Sequence, residues 1–522
     1  MLKITNIKVD LEHTIDDVLN QCKKILKTNN FTDYSIDKKS LDARKSKMFY
    51  VYSLVVNVEN EHKYLKHKNV SIAKKYKLKP VNVGLKTRPI IVGSGPCGLF
   101  AALMLALCGT KPIIIERGSD VDTRVETIAK FFKTGILDLN TNIQFGEGGA
   151  GTFSDGKLTT QIKNPRSKIV LEYLVKFGAN ESIMYDAKPH IGSDVLIKIL
   201  KNMRKFLINN GTTFLFNHQL TNINIVDNKL KNIEVVYNSK TLSFATNHLF
   251  LAIGHSSRDT FKLIYERGLD IVAKPFAVGV RIEHPQAMIN KIQYGNNVID
   301  AADYKLTANL SNGRGAYTFC MCPGGVVVAA TSEENCVVTN GMSYSKRDLE
   351  NANSALLINV NPSDFSSTHA LGGMEFQENL ERAAYKLGGS NYFAPVQTVK
   401  DFLNKKVTTS FKGVTPTYKP GVTMANLHDI LPNFVSESLM EGIISINKKF
   451  DGFNLDDAIL TGIESRTSSP IRILRDANCF SNIKGIIPCG EGAGYAGGIM
   501  SAAIDGIKVV EKALNIELVI AE

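Results

Sequence analysis

The apolar run Ile90-Ile91-Val92 leads straight into Gly93-Ser94-Gly95-Pro96-Cys97-Gly98. This G-x-G-x-x-G spacing constrains the chain more than any other feature. The first glycine permits a tight turn, the second lets main chain approach a pyrophosphate, and the third lets a helix pack closely on the preceding strand. Free N–H groups at the start of that helix then face the phosphates. A strand over 90–92, a helix over 98–108 and a second strand in "KPIIIERG" predict a βαβ unit. Glu116 ends the second strand, followed by Arg117. A carboxylate there accepts hydrogen bonds from ribose hydroxyls and repels a 2′-phosphate. Gly93, Gly95, Pro96, Cys97, Gly98, Glu116 and Arg117 are the expected dinucleotide contacts. FAD and NAD both satisfy this half of the site.

The second half lies almost 400 residues later. "IIPCGEGAGYAGGIMSAAIDG" repeats the sequence of short strand, glycine-acid pair and glycine-rich helix start. A cofactor as long as FAD needs this second contact zone. Gly490 and Glu491 are expected at its ribityl chain, and Gly494, Gly497 and Gly498 at the close approach of main chain to the flavin. "HLFLAIGHSSRD" ends an apolar strand in Ala-x-Gly, where a flavoprotein of this kind crosses to its substrate domain. Between these stretches, "FGEGGAGTFSDGK" carries five glycines in thirteen residues, so its backbone can lie against a flat ring or a phosphate. Gly148, Gly149, Gly151, Ser154 and Lys157 are the expected contacts there, with Asp155 available for a further hydrogen bond.

A chain of 522 residues needs several cores. The expected division is a basic α+β N-terminal domain over 1–82, an FAD-binding domain over 83–268 and 465–522, and an α+β substrate domain inserted over 269–464. In the first, Thr14 with Asp17 three residues on predicts a capped helix, and "KMFYVYSLVVNVE" predicts a strand. Residues 1–80 hold 17 Lys and Arg against 9 Asp and Glu, two thirds of the net charge of +12. No RNA-binding signature accompanies that charge, so nucleic acid is an alternative partner and not the expected one. The longest apolar run is about twelve residues, short of the roughly eighteen that span a bilayer. With no apolar leader at the N-terminus, the expected compartment is the cytoplasm. Eight cysteines without a C-x-x-C pair fit a reducing compartment, and the spacing of Cys320, Cys322 and Cys336 makes no convincing metal set.

The stretches "FGEGGAGTFSDGKLTTQIKN", "KPFAVGVRIEHPQ", "YTFCMCPGGVVVAATS", "GGMEFQENLERAAY" and "PCGEGAGYAGGIMSAAIDG" resemble a family of FAD-dependent dehydrogenases, also described as NAD(P)/FAD-dependent oxidoreductases. The resemblance extends over most of the chain, the basic N-terminal unit included. It implies an α/β, glutathione-reductase-like FAD-binding Rossmann-type domain, a tightly held FAD and a separate substrate domain. It implies no settled reaction.

The expected activity is hydride exchange between flavin N5 and a small-molecule substrate. No second strand-GxGxxG-helix unit is present in the sequence, so NAD(P)H is expected only as a transient reductant at the substrate face. Arg281 and His284 in "GVRIEHP" are candidates for anion binding and acid/base chemistry, with a structural ion pair and a loop histidine as the equal alternative. Arg466 is a second anion candidate. Cys320 is a redox candidate with Cys322, although buried structural cysteines are favoured by their one-residue spacing. Two other functions remain open: flavin-dependent tRNA modification, and a flavin-binding redox sensor without turnover.

Overall fold

The computed structural model describes residues 1–44, 47–160, 163–297, 299–365, 367 and 369–521. Gln161 and Ile162, within the glycine-loop stretch quoted above, lie outside the described residues. The chain forms two compact units. One gathers 1–79, 157–191 and 517–522, and the other 80–156 and 192–516.

In the first unit, Leu2, Ile4, Ile7 and Val9 all point inward from strand Leu2–Val9. Strict alternation would turn the last two outward. A register shift between Ile4 and Ile7, at Asn6 with φ 60°, keeps them on the buried face. Helix Ile15–Leu26 carries the predicted capping box, in which Asp17 N–H donates to Thr14 Oγ1 and Thr14 N–H to Asp17. The helix adds Val18, Cys22 and Leu26 to the core of an antiparallel sheet ordered Asp33–Asp42, Phe49–Asn57, Leu2–Val9, Val70–Ile72. A separate ribbon pairs Tyr76–Leu78 with Val519–Ala521. The expected division is corrected here: 157–191 leaves the 83–268 stretch and 517–522 leaves the 465–522 stretch, both to join the N-terminal residues. Their contacts are tertiary, such as the Lys39 N–H bond to Tyr185 O, and have no local sequence signal.

The second unit is mixed α/β. Its parallel sheet contains, in chain order, Ile90–Val92, Ile113–Ile115, Thr213–Leu215, Leu249–Leu251 and Ile486–Pro488. In space these stand third, second, first, fourth, fifth. All but the third strand are wholly buried, which explains their unbroken apolar runs. The expected β-meander is present as Gln219–Val226, Lys229–Tyr237 and Lys240–Ala245. Two differences stand out at its borders. Thr213–Leu215 belongs to the parallel sheet, and "LSFATNHLFLAIG" is split between the meander and the fourth parallel strand.

A second, seven-stranded sheet occupies the rest, ordered Thr307–Asn309, Gly315–Cys322, Asn351–Val360, Phe276–Pro285, Ile459–Glu464, Ala394–Thr398, Val422–Met424. Its two faces differ in chemistry. Val278, Val280, Ile282, Leu356 and Ile358 pack in one apolar core with Val435, Leu439, Ile443 and Ile446 of helix Asn433–Asn447. Arg281, Glu283, Asn353 and Thr461 fall on the alternate face by register. The hairpin of Gly325–Ala329 and Thr339–Ser343 lies over that polar face, with Gly341 against Arg281 and Thr339 bonded to Glu464.

Candidate cofactor and active site

The parallel sheet reverses its winding between the first strand, Ile90–Val92, and the fourth, Leu249–Leu251. Ligands bind at such a switch point, outside the carboxyl ends of the strands. Gly93 leaves the first strand with φ 103°, and a Cβ there would lie 2.2 Å from Ala252 O, just past the fourth. A Cβ on Gly98 would lie 2.0 Å from Gly93 O. These two glycines close the turn and seat helix Pro96–Leu107 on its strand. At Gly95 the nearest atom to a Cβ is Gly149 Cα at 3.8 Å, and this glycine is the helix N-cap without a side-chain cap.

Glu116 ties three segments together. One carboxylate oxygen accepts from Ser94 N (2.9 Å) and Ser94 Oγ (2.7 Å), and the other from Gly118 N (2.9 Å) and Gly146 N (3.0 Å). A ribose hydroxyl reaching this carboxylate must therefore displace a protein donor, the Ser94 hydroxyl being the most easily turned away. Arg117 binds both oxygens of Asp259 and stacks on Phe145 with 4.3 Å to the ring centroid.

The sequence reading missed Arg124. Fully buried, it donates to the carbonyls of Asn142 (2.8 Å), Ile143 (2.8 Å), Glu147 (2.7 Å) and Gly149 (3.0 Å). It thereby shapes the glycine loop from inside, and burial pushes its pKa down to about 10. The signal was available: Arg124 interrupts the buried stripe Val121, Ile128, Phe131 of helix Val121–Thr134. Within the loop, Gly148 N–H donates to Ser94 O (2.9 Å), and Ser154 Oγ donates to Gly151 O (2.7 Å). Lys157 falls in the first unit, in a bridge with His190.

A Cβ on Gly151 would meet Ile499 Cγ1 at 2.9 Å and Pro96 Cγ at 3.8 Å, so this loop reaches the starts of two helices. The second, Ile499–Leu514, also begins at a glycine, Gly498, without a side-chain cap. It packs on the first through Gly506, where a Cβ would lie 2.3 Å from Cys97 O. Cys97 and Cys489 are buried beside each other, and their mutual hydrogen bond and burial hold the Cys97 thiol well above its ordinary pKa. Gly490 N–H donates to Asp505 (2.8 Å), which Arg475 holds with two bonds. Gly494, with φ 84°, fits against Ile471 O. Glu491 faces His255, with Nδ1 3.3 Å from Oε1, while the buried His255 Nε2 has no partner.

The residues fit an elongated anionic cofactor. Cβ positions on Gly254, Gly497 and Gly498 meet nothing within 4 Å, and Gly95 is nearly as open. Two uncapped helix starts offer free N–H groups and positive dipole ends for its phosphates and for the negative charge a flavin ring gains on reduction.

The four catalytic candidates are not brought to this cradle as free groups. Each nitrogen of the buried Arg281 guanidinium has a protein partner: Asn353 (2.8 Å), Glu464 (3.0 Å) and Cys320 O (2.6 Å). Arg466 is likewise saturated by Glu381, Glu333 and Ser332, beside Arg258, which binds the same two carboxylates. Glu333, Cys336 and Glu381 place possible metal ligands within 4.8 Å of one another, but two guanidiniums already neutralise the two carboxylates. His284 is fully buried, donates from Nε2 to Phe453 O (2.9 Å), and burial depresses its pKa to about 4. Cys320 takes φ 43° and hydrogen-bonds with Cys322, whose thiol that bond and burial push far up. Such a thiol is a poor nucleophile. Arg281 and Arg466 are held in ion pairs, and His284, for which a loop position was the alternative expected, is instead buried in strand Phe276–Pro285.

A family model described as "FAD-dependent protein, C-terminal domain-like" matches residues 275–467. A second, described as a domain of unknown function, matches residues 1–57. A protein of Clostridium beijerinckii, described only as an uncharacterized protein, is 48% identical over 98% of both chains. Among solved structures the chain is similar to E. coli quinol fumarate reductase FrdA, with a TM-score of 0.38 and 11% identity over 82% of this chain and 70% of that one. It is also similar to the FAD-complexed glycerol-3-phosphate dehydrogenase of Bacillus halodurans (0.38, 10%, 83% and 66%). A flavoprotein/dehydrogenase of Cytophaga hutchinsonii gives 0.34, 12%, 83% and 80%.

Proposed function

The chain belongs to a family of FAD-dependent proteins, and from that premise we propose that it is an oxidoreductase whose bound FAD exchanges a hydride with a small substrate. One observation carries the reading: an open glycine cradle between two uncapped helix starts, at the switch point of a parallel sheet. The spatial strand order is that of a Rossmann-type fold, and we assign the second unit to the glutathione-reductase-like arrangement.

Bound FAD supplies a two-electron acceptor and donor at flavin N5. The protein's own residues do the rest. Gly93 makes the turn, its N–H spent on Ile115 O, Gly95 and the helix start behind it bring main-chain N–H groups to the pyrophosphate, and Glu116 with Arg124 keeps the neighbouring loop at the right distance. Glu491 accepts from a ribityl hydroxyl. Gly497 and Gly498 let the second helix start approach the ring closely enough to stabilise negative charge on it. Substrate is presented from the side of residues 269–464, and NADH or NADPH reaches the ring there transiently.

The test is direct. Purified protein, supplemented with FAD and desalted, is expected to retain visible flavin absorption that bleaches anaerobically with NADH or NADPH. Protein without flavin bands after FAD addition overturns the cofactor assignment. Flavin that no reductant or dye couple reduces overturns the oxidoreductase reading.

A further inference from the structure

Past the carboxyl ends of the fourth and fifth parallel strands, the two loops that follow touch main chain to main chain. A Cβ on Gly492 would lie 2.4 Å from Gly254 O. That contact sets His255, just past Leu249–Leu251, beside Glu491, just past Ile486–Pro488. The polar side chains of His255-Ser256-Ser257-Arg258 differ in what they hold. Ser256 Oγ donates to Gln144 Oε1 (3.0 Å), Ser257 Oγ to Ile253 O (2.6 Å), and Arg258 to Glu381 and Glu333. His255 has Glu491 beside Nδ1, and its Nε2 is buried with no partner among the described residues.

Leaving a ring nitrogen in that state is costly, and a side chain only 11% exposed has little water to turn to. The carboxylate next to Nδ1 favours the proton on that nitrogen, so Nε2 is the bare one and carries a lone pair. His248 and His284 also bury a ring nitrogen without a partner, Nδ1 in each case. His248 precedes the fourth strand, at the amino end of the sheet, and His284 lies within the seven-stranded sheet. Of the three, His255 stands at the carboxyl ends of the parallel strands, where ligands bind. It follows Gly254, on which a Cβ meets nothing within 4 Å. A buried lone pair at the border of an open cradle calls for a hydroxyl donor. Phosphate oxygens cannot satisfy it, whereas the ribityl chain of FAD carries such donors.

We propose that His255 Nε2 accepts a hydrogen bond from a ribityl hydroxyl of FAD, so that Glu491 and His255 act as a paired acceptor for the polyol chain. The inference rests on the FAD assignment. Glu491 Oε1 fixes the imidazole proton on Nδ1, and Oε2 is left for a second hydroxyl. The pairing implies a trade-off: the bare nitrogen lowers the stability of the apoprotein and is satisfied only when cofactor binds.

The experiment titrates full-length apoprotein with FAD and, separately, with ADP, which carries phosphates and ribose but no ribityl chain. His255→Leu is expected to weaken FAD about tenfold, the equivalent of one hydrogen bond, and to leave ADP unchanged. His255→Gln, whose side-chain oxygen replaces the ring nitrogen as acceptor, is expected to bind FAD within about threefold of the wild type. The thermal midpoint of the His255→Leu apoprotein is expected to equal or exceed that of the wild type, because an acceptor without a donor has been removed. Unchanged FAD affinity in both variants overturns the contact. Equal weakening of FAD and ADP also overturns it, since the histidine would then serve the phosphates or the fold. A His255→Gln variant as weak as His255→Leu does the same. A wild type that takes up no FAD strikes the cofactor reading itself.

Discussion

Removing Arg124 would strip hydrogen bonds from four loop carbonyls at once. Buried acceptors left without donors cost about 1–3 kcal/mol each, partly relieved by entering water. Arg124→Met is therefore expected to lower stability by several kcal/mol and to abolish flavin retention, read from thermal unfolding and visible absorption. His284 makes a prediction of the opposite kind, in which the active-site expectation gives way to a stability effect. Its pKa falls from 6.5 to about 4 on folding. The unfolded chain thus takes a proton that the folded protein refuses. Stability is fully present above pH 6.5 and is lost as pH falls toward 4, by about 3 kcal/mol for this group at the acid end. His284→Gln removes that proton, so denaturant midpoints of the variant should fall less steeply between pH 6.5 and 4 than those of the wild type.

Helix starts and strand ends show what separates a glycine required by packing from one required by a ligand. Gly506→Ala would drive a methyl group to 2.3 Å from Cys97 O, prising apart helices Pro96–Leu107 and Ile499–Leu514. A loss of about 1–3 kcal/mol is expected whether or not FAD is present. Gly497→Ala meets nothing within 4 Å. It should leave the thermal midpoint of the apoprotein unchanged and weaken FAD binding, measured by equilibrium titration. This contrast also explains what was legible in the sequence. Glycine spacing is local, so the turn after Val92, the helix behind it and the later glycine zone could be read directly. The saturation of Arg281 and Arg466 depends on Glu464, Glu333 and Glu381, brought in from distant strands and helices. Nothing within "GVRIEHP" or "GIESRTSSP" distinguishes a free guanidinium from a spent one. Arg124 was the reverse case: its stripe was visible, but a cation on an apolar face passes for an interruption until its acceptors are known.

At the scale of the whole molecule, an open cradle predicts a large response to ligand. FAD at a hundredfold excess over its Kd should stabilise the second unit by about 2.7 kcal/mol, visible as a rise in its unfolding midpoint. Among the described residues no helix is long and apolar enough to cross a membrane. The first unit was the least legible part, because what completes it is remote: residues 157–191 and 517–522 have no periodicity that names their partners. Its ribbon of Tyr76–Leu78 and Val519–Ala521 bears on the order of events during synthesis. The second of those strands leaves the ribosome only after residues 80–516, so the 76–78 strand must wait, unpaired, while that unit is made. Domains generally fold as units as the chain emerges, N-terminal first. Here the N-terminal unit opens early and is sealed only after residues 80–516 are made. A chain ending at Ile516 is expected to fold its second unit and take up FAD normally, yet show fast hydrogen exchange and protease cutting around residues 76–78.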